Sequence, residues 1–123
     1  MDLLLVMTGG ALGAGARHLA GQAALALFGP GFPFGTLAVN VAGGLAMGVL
    51  AGLLTRTGTG ETWRLFLGVG VLGGFTTFSA FSLDAVTLAG RGQMLAASGY
   101  VLLSVAGAIG ALLLGLQLTR AAA

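Results

Sequence analysis

A polar and aromatic string occupies residues 73–82, inside a stretch that is long and apolar enough to cross a membrane. It reads Gly-Gly-Phe-Thr-Thr-Phe-Ser-Ala-Phe-Ser and places four hydroxyls and three phenylalanines where lipid favours leucine. Glycines followed by threonines have poor helix propensity, so this pattern predicts a helix break near the middle of the span. Broken membrane helices expose backbone carbonyls that can hold Na⁺ and helix N-termini that can face anions. The alternative is a glycine packing seam whose threonines bond back to their own helix.

Two phenylalanines and one asparagine have the chemistry to bind a small anion. Phe78 and Phe81 are three residues apart and share one face of the helix after the predicted break. Such a pair is commonly core or lipid contact, yet the ring edges have positive quadrupole charge that attracts an anion. Asn40 lies between Val39 and Val41 and offers two donors and an acceptor. It is predicted to form either an interhelical hydrogen bond or, beside the ring edges, part of an anion site.

One arginine and several hydroxyls extend this polar chemistry. Arg17 lies ~20 Å along a ~30 Å membrane core, where a cation is costly unless it faces water or protein. It could snorkel, tie helix ends together through carbonyls, or attract anions into a vestibule. Ser79 lies next to Phe78, and Tyr100 and Ser104 are four apart on one helix face. These hydroxyls could rehydrate an ion or simply connect helices.

Catalysis finds little support in the remaining ionisable residues. His18 is the only histidine, and Asp2, Glu61 and Asp84 are the only acids. They form no carboxylate pair, metal-ligand cluster or Ser-His-Asp arrangement, so we expect that the protein is not an enzyme. The absence of cysteine excludes disulfides and thiolate metal sites. Five arginines against three acids give no basic stripe, so we expect no nucleic-acid partner.

The composition indicates that membrane helices position these side chains. The chain has 123 residues, of which 57% are apolar and 7% charged, far from a soluble composition. We therefore predict an all-α membrane protein with one domain over residues 1–123 and four transmembrane helices, the third of them broken. The predicted spans cover about 3–28, 34–55, 63–89 and 93–119. Thr62 or Thr59 is predicted to cap the third helix.

Regularly spaced glycines predict how these helices pack. Gly44, Gly48 and Gly52 repeat every four residues, as do Gly9 and Gly13, and small residues at this spacing let helix backbones approach closely. Four short-looped helices have little interior of their own, so a pore or cavity needs a second copy. The arginines near the span ends give only a weak orientation bias, which permits, without requiring, an antiparallel homodimer.

Three sequence blocks resemble the Fluc (CrcB-type) fluoride channels. The blocks are Gly9-Gly10-x-x-Gly13-Ala14-x-x-Arg17, Gly35-Thr36-Leu37-x-Val39-Asn40-x-x-Gly43 and Gly73-Gly74-x-Thr76-Thr77-Phe78-Ser79-x-Phe81-Ser82. The third block is the most specific, because a polar and aromatic string of this kind inside a membrane span is hard to reach by chance.

The resemblance implies a passive, fluoride-selective channel that exports cytoplasmic fluoride across the cell inner (plasma) membrane. It implies an antiparallel, dual-topology homodimer with two pores and one structural sodium ion at the dimer interface. Gly73 and Thr76 would give backbone carbonyls to sodium, and Arg17 would lie at the vestibule. The residues that match the fluoride pore are Asn40, Phe78, Phe81, Ser79, Tyr100 and Ser104.

Two positions depart from the family pattern, and a third matches it without a known role. Ala38 and Ala80 occupy positions where relatives can have threonine, so part of the hydroxyl track is missing here. Asp84 matches an acidic position of the family whose role is open.

Two other functions fit a small four-span protein. A proton-coupled multidrug exporter needs a titratable membrane carboxylate, for which Asp84 is the only candidate. A small assembly subunit would bind a larger partner through its glycine seams and show no ion flux when purified.

Overall fold

A computed structural model describes residues 2–58 and 60–121. Over these ranges the chain forms α1 (Asp2–Phe28), α2 (Phe34–Thr57), α3 (61–75), α4 (Ser79–Gly90) and α5 (Met94–Ala121). Helix α3 is wound as a wider π-helix over Arg64–Leu72, between α-helical turns at Glu61–Trp63 and Gly73–Phe75. Together α3 and α4 make the third membrane-length segment, Glu61–Gly90.

Four segments of the described chain are long and apolar enough to cross a membrane, by length and composition. The prediction of an all-α, four-span protein is therefore confirmed. Short connections at 29–33 and 91–93 join neighbouring helices, and each contains a glycine at positive φ. Gly29 has a φ of 76° and Gly58 a φ of 62°, and their amides donate to the carbonyls of Leu25 and Leu54, each at 2.9 Å. Glycine tolerates this left-handed conformation, so these residues end α1 and α2.

The start of α3 differs from the predicted cap. The helix begins at Glu61 with Gly60 in the N-cap position, and no side chain among the described residues bonds to the cap. The prediction for Thr62 is wrong, because the helix starts one residue before it. Thr59 lies outside the described residues.

Glycines bring α2 and α5 into backbone contact. A methyl group added to Gly44 would lie 2.5 Å from the Ala108 carbonyl oxygen, and one added to Gly48 would overlap the Leu112 carbonyl. From the other side, a methyl group on Gly115 would lie 2.5 Å from the Leu45 carbonyl. The predicted packing seam on α2 is therefore confirmed, and it fixes the distance between the second and fourth spans.

A second seam joins α1 to α3. A methyl group added to Gly9 would lie 2.5 Å from the Phe66 carbonyl oxygen, and one added to Gly13 would overlap the Val71 carbonyl. Gly74 faces back toward α1, since its added methyl group would lie 2.5 Å from the Gly10 carbonyl. This seam, also predicted, brings α1 against the end of α3.

Little of the described part of the chain is buried. Leu88, Ala97 and Tyr100 form a small core, and Phe81 packs against it. Many large apolar side chains are exposed, including Leu95 at 89% and Phe78 at 78%. Such a surface is covered by lipid or by another protein chain.

Replacing Gly48 by alanine is expected to destabilise the protein. The added methyl group overlaps the Leu112 backbone, which cannot move without separating α2 from α5, and overpacking of this kind costs about 1–3 kcal/mol. Thermal unfolding in detergent should show a lower melting temperature for Gly48→Ala than for Gly110→Ala, whose added methyl group meets no atom within 4 Å. Equal melting temperatures would contradict the seam.

Candidate functional site

The third membrane segment is interrupted between α3 and α4. Residues 76–78 are not helical, and Thr76 has an extended backbone with φ −88° and ψ 159°. The Thr76 amide and hydroxyl both donate to the Leu72 carbonyl, at 3.0 and 2.9 Å. A residue in this conformation turns its own carbonyl away from the helical direction. Backbone polar groups therefore leave the helical pattern at membrane depth, where they need other partners.

Asn40 provides partners for one residue of this interruption. Its Nδ2 donates to the Thr77 carbonyl at 3.0 Å, and its Oδ1 accepts from the Thr77 amide at 2.9 Å. The side-chain amide thus pairs with both backbone groups of Thr77, as a neighbouring β-strand would. In a continuous α-helix the Thr77 amide would donate to the Gly73 carbonyl, so this pairing draws that donor away. The second N–H of Asn40 has no acceptor among the described residues and can donate to another group.

The position of Asn40 follows from how α2 packs. Gly43 lies one turn later on the same helix face, and a methyl group added there would overlap the Thr76 side chain. The missing side chain lets α2 approach the interruption closely enough for the Asn40 amide to reach Thr77.

Arg17 reaches the same interruption from α1. Its Nε donates to the Gly74 carbonyl at 3.2 Å, and the side chain is half-buried. Arg17 also lines a cavity of about 310 Å³, here called the vestibule cavity, together with His18, Gln22 and Thr36. Arg17 therefore contacts a backbone carbonyl and lines a cavity, and its role in attracting anions stays a prediction.

A second cavity, of about 410 Å³, lies between α2, the interruption, α4 and α5 and is here called the central cavity. Asn40, Phe78, Phe81 and Ser104 line it. The two rings lie 5.6 Å apart and are tilted by 52°. Ser104 is 5% exposed, and its hydroxyl has no hydrogen-bond partner among the described residues. A buried hydroxyl without a partner is unusual, and it can donate to an ion or a water molecule.

Two predicted pore residues lie outside the central cavity. Tyr100 is fully buried behind Phe81, with ring centroids 5.3 Å apart, and its hydroxyl donates to Asp84 Oδ2 at 3.1 Å. The Ser79 hydroxyl lies 3.3 Å from that of Thr77 at the exposed start of α4. The structure thus brings four of the six residues together and leaves these two beside them.

Three residues at or near the site have contacts that the sequence does not predict. Thr77 lies within the polar string, but its pairing with Asn40 had no signal other than that string. Thr36 lines the vestibule cavity. It also lines a third cavity, of about 280 Å³, with Asp84 and Arg91. Asp84 therefore bonds the buried tyrosine and also lines a cavity near the 29–35 connection.

The described residues contain no group of three or more His, Cys, Asp or Glu side chains that could hold a metal ion. A cation at the interruption would have to be held by backbone or hydroxyl oxygen. Gly73 lies in the last turn of α3 and Thr76 directly after it. The two residues predicted to give carbonyls are therefore both at the interruption.

Known proteins match this chain over nearly its whole length. The family model described as "CrcB-like protein, Camphor Resistance (CrcB)" matches residues 4–116. A Sphingopyxis alaskensis protein named "Fluoride-specific ion channel FluC" is 62% identical over 120 residues, which are 97% of this chain and 95% of the relative. Proteins of the same name from Mesorhizobium japonicum and Phenylobacterium zucineum are 56% and 57% identical over 119 and 120 residues. These matches cover 97% and 96% of this chain, and 96% and 94% of the two relatives. With four membrane-length segments and a family match over most of its length, the chain belongs to the CrcB-like protein family.

Proposed function

We propose that this protein is a passive, fluoride-selective ion channel. The observation that supports it most directly is the central cavity, where an amide, an unpartnered buried hydroxyl and two phenylalanine rings meet. These groups are hydrogen-bond donors and positive ring edges, which suit a small, hard anion. The relatives are named fluoride-specific ion channels, and neither those names nor the residues of the cavity suggest an enzyme.

Conduction proceeds by exchange of water for protein donors. Fluoride enters the vestibule cavity, attracted by Arg17, and reaches the free N–H of Asn40. It then passes the edges of Phe78 and Phe81 and accepts a hydrogen bond from the Ser104 hydroxyl. Selectivity against chloride comes from the constriction and the hard donors together, since a larger anion neither fits nor recovers its hydration energy. Flow follows the fluoride gradient and needs no coupling ion.

The complete channel is an antiparallel homodimer with two pores. Phe78 is 78% exposed in a single subunit although it lines the central cavity, so the cavity lacks a wall on that side. A second copy in the opposite orientation closes each cavity and covers the exposed ring. Two copies related by a two-fold axis give two equivalent pathways. The weak arginine bias of the chain is compatible with both insertions.

A structural sodium ion fits the chemistry of the interruption. Carbonyl and hydroxyl oxygens are the hard ligands that such a cation prefers. In a continuous helix the Thr77 amide would donate to the Gly73 carbonyl, but here it donates to Asn40 Oδ1. Gly73 and Thr76 of each subunit would hold the ion with their carbonyls. When bound, sodium neutralises carbonyl groups exposed at the subunit interface.

The physiological role that follows is export of cytoplasmic fluoride across the inner (plasma) membrane. The protein is a multi-pass membrane protein with little chain outside its helices. Passive export protects the cytoplasm whenever the internal fluoride concentration exceeds the external one.

The decisive test is anion efflux from proteoliposomes that contain the purified protein. Parallel fluoride and chloride electrodes should record fast fluoride efflux and no chloride efflux. Efflux of both ions would contradict selectivity. Efflux of neither ion, from protein verified as a dimer in sodium, would favour the assembly-subunit alternative. Retention of fluoride efflux in Asp84→Asn would exclude the proton-coupled exporter, which depends on that carboxylate.

A further inference from the structure

Arg17 belongs to the same helix face as the glycine seam of α1. Gly9, Gly13 and Arg17 are four residues apart, and the two glycines press α1 against the α3 backbone. A methyl group added to Gly13 would also lie 2.8 Å from the Phe75 amide, at the last residue of α3. One turn further on, the next residue of this face must therefore lie beside the interruption. The close packing of α1 on α3 therefore places the Arg17 guanidinium within hydrogen-bond distance of the Gly74 carbonyl.

Two side chains from different helices donate hydrogen bonds to some carbonyls of the interruption and leave others without such a donor. Arg17 Nε occupies the Gly74 carbonyl, and Asn40 Nδ2 occupies the Thr77 carbonyl. The Gly73 carbonyl loses its helical donor to Asn40 Oδ1, and the extended Thr76 turns its carbonyl out of the helix. Among the described residues no hydrogen bond across the interruption occupies the carbonyls of Gly73 and Thr76, the two residues proposed to bind sodium.

We propose that Arg17 is a positioning residue of the sodium site: by holding the Gly74 carbonyl it fixes the backbone between α3 and α4 and leaves the Gly73 and Thr76 carbonyls as the cation ligands. This inference rests on the proposed function, and it gives Arg17 a role distinct from attracting anions to the vestibule. Guanidinium suits both tasks because it has five donors in a planar fork. Nε bonds the carbonyl while the terminal nitrogens can face the cavity.

The physical basis is preorganisation. Carbonyl groups gathered around a cation site repel one another when the cation is absent, so a flexible interruption would turn them apart. A charged hydrogen bond to Gly74 restrains one end of the interruption, and the paired amide of Asn40 restrains the other. Sodium then binds to carbonyls that are already oriented, which lowers the sodium concentration needed for saturation.

Substitution of Arg17 by lysine separates the two roles. Lysine keeps the positive charge at the vestibule, but its compact, strongly hydrated ammonium lacks the planar fork and prefers water to the carbonyl. We expect the half-saturating sodium concentration to rise by about tenfold, equivalent to about 1.4 kcal/mol of binding free energy. This half-saturating concentration is measured by the rise in melting temperature of the detergent-solubilised protein as sodium is added, with choline replacing sodium to keep the ionic strength constant. Arg17→Ala should raise it at least as much.

Arg56→Lys is the matched control. Arg56 Nη1 also donates to a backbone carbonyl, that of Thr119, at 3.1 Å, but it lies near the opposite end of α2 from Asn40. This variant should keep the wild-type sodium midpoint. A shift in Arg17→Ala that is absent in Arg17→Lys would overturn the inference, because it would show that the positive charge matters and the hydrogen bond to the Gly74 carbonyl does not.

An unchanged sodium midpoint in both Arg17 variants would overturn the inference, and if the alanine variant does not fold, the lysine variant decides alone. A wild-type protein with no sodium dependence would overturn both the sodium site and this inference. It would leave the channel itself standing, because fluoride efflux is measured separately.

Discussion

Replacing Asn40 by aspartate should reduce fluoride efflux by at least about 100-fold. The two side chains have nearly the same shape, so the change isolates the loss of the amide donor and the gain of a negative charge. The carboxylate can still accept from the Thr77 amide, but it cannot donate to the Thr77 carbonyl, which Asn40 bonds at 3.0 Å. It also places a negative charge on the lining of the central cavity, through which we propose that fluoride passes.

Each effect is large enough to be measured. A carbonyl left without a donor in a buried site costs about 1–3 kcal/mol. Two like charges about 4 Å apart repel by about 4 kcal/mol at the effective dielectric constant of partly buried sites. About 1.4 kcal/mol changes a rate tenfold, so a 100-fold loss needs about 2.8 kcal/mol. The unpaired carbonyl and the charge repulsion together exceed this value.

The measurement is the initial rate of fluoride efflux from proteoliposomes at matched protein density. Gln93→Glu makes the same amide-to-carboxylate change at an exposed residue just before α5 and should retain the wild-type rate. If Asn40→Asp conducts at the wild-type rate, Asn40 does not donate to the permeating ion. Its role would then be limited to the hydrogen bonds with Thr77.

The helices of this protein were predictable because they depend on local composition. Long apolar runs predict spans, and glycines at four-residue spacing predict close helix contacts, as Gly48 and Gly13 confirm. These signals need no knowledge of the partner helix. By contrast, the π-helical winding over Arg64–Leu72 was not predicted, since hydropathy does not distinguish it from an α-helix.

The sequence indicates which residue types belong to the candidate site, but it does not predict which groups they contact. Asn40 and Arg17 were recognised as costly polar residues in a membrane, which predicts that each has a partner. The partners are backbone carbonyls of Thr77 and Gly74, and any residue type has such a carbonyl, so no sequence pattern identifies them. Tyr100 shows the same limit. Its spacing from Ser104 predicted a shared polar face, whereas its hydroxyl bonds Asp84 instead.

Replacing Phe81 by isoleucine should lower fluoride efflux by about tenfold while leaving chloride efflux undetectable. Isoleucine preserves an apolar side chain but removes the ring edge, and aromatic interactions of this kind contribute about 0.5–1.5 kcal/mol beyond apolar burial. The ring of Phe81 also lies between those of Phe78 and Tyr100, at 5.6 and 5.3 Å, so its loss affects both neighbours. Phe66→Ile makes the same change in α3, away from the central cavity, and should conduct as the wild type does. Normal fluoride efflux through Phe81→Ile would show that the ring edges do not bind the ion, and selectivity would then have to come from Asn40, Ser104 and the width of the cavity alone.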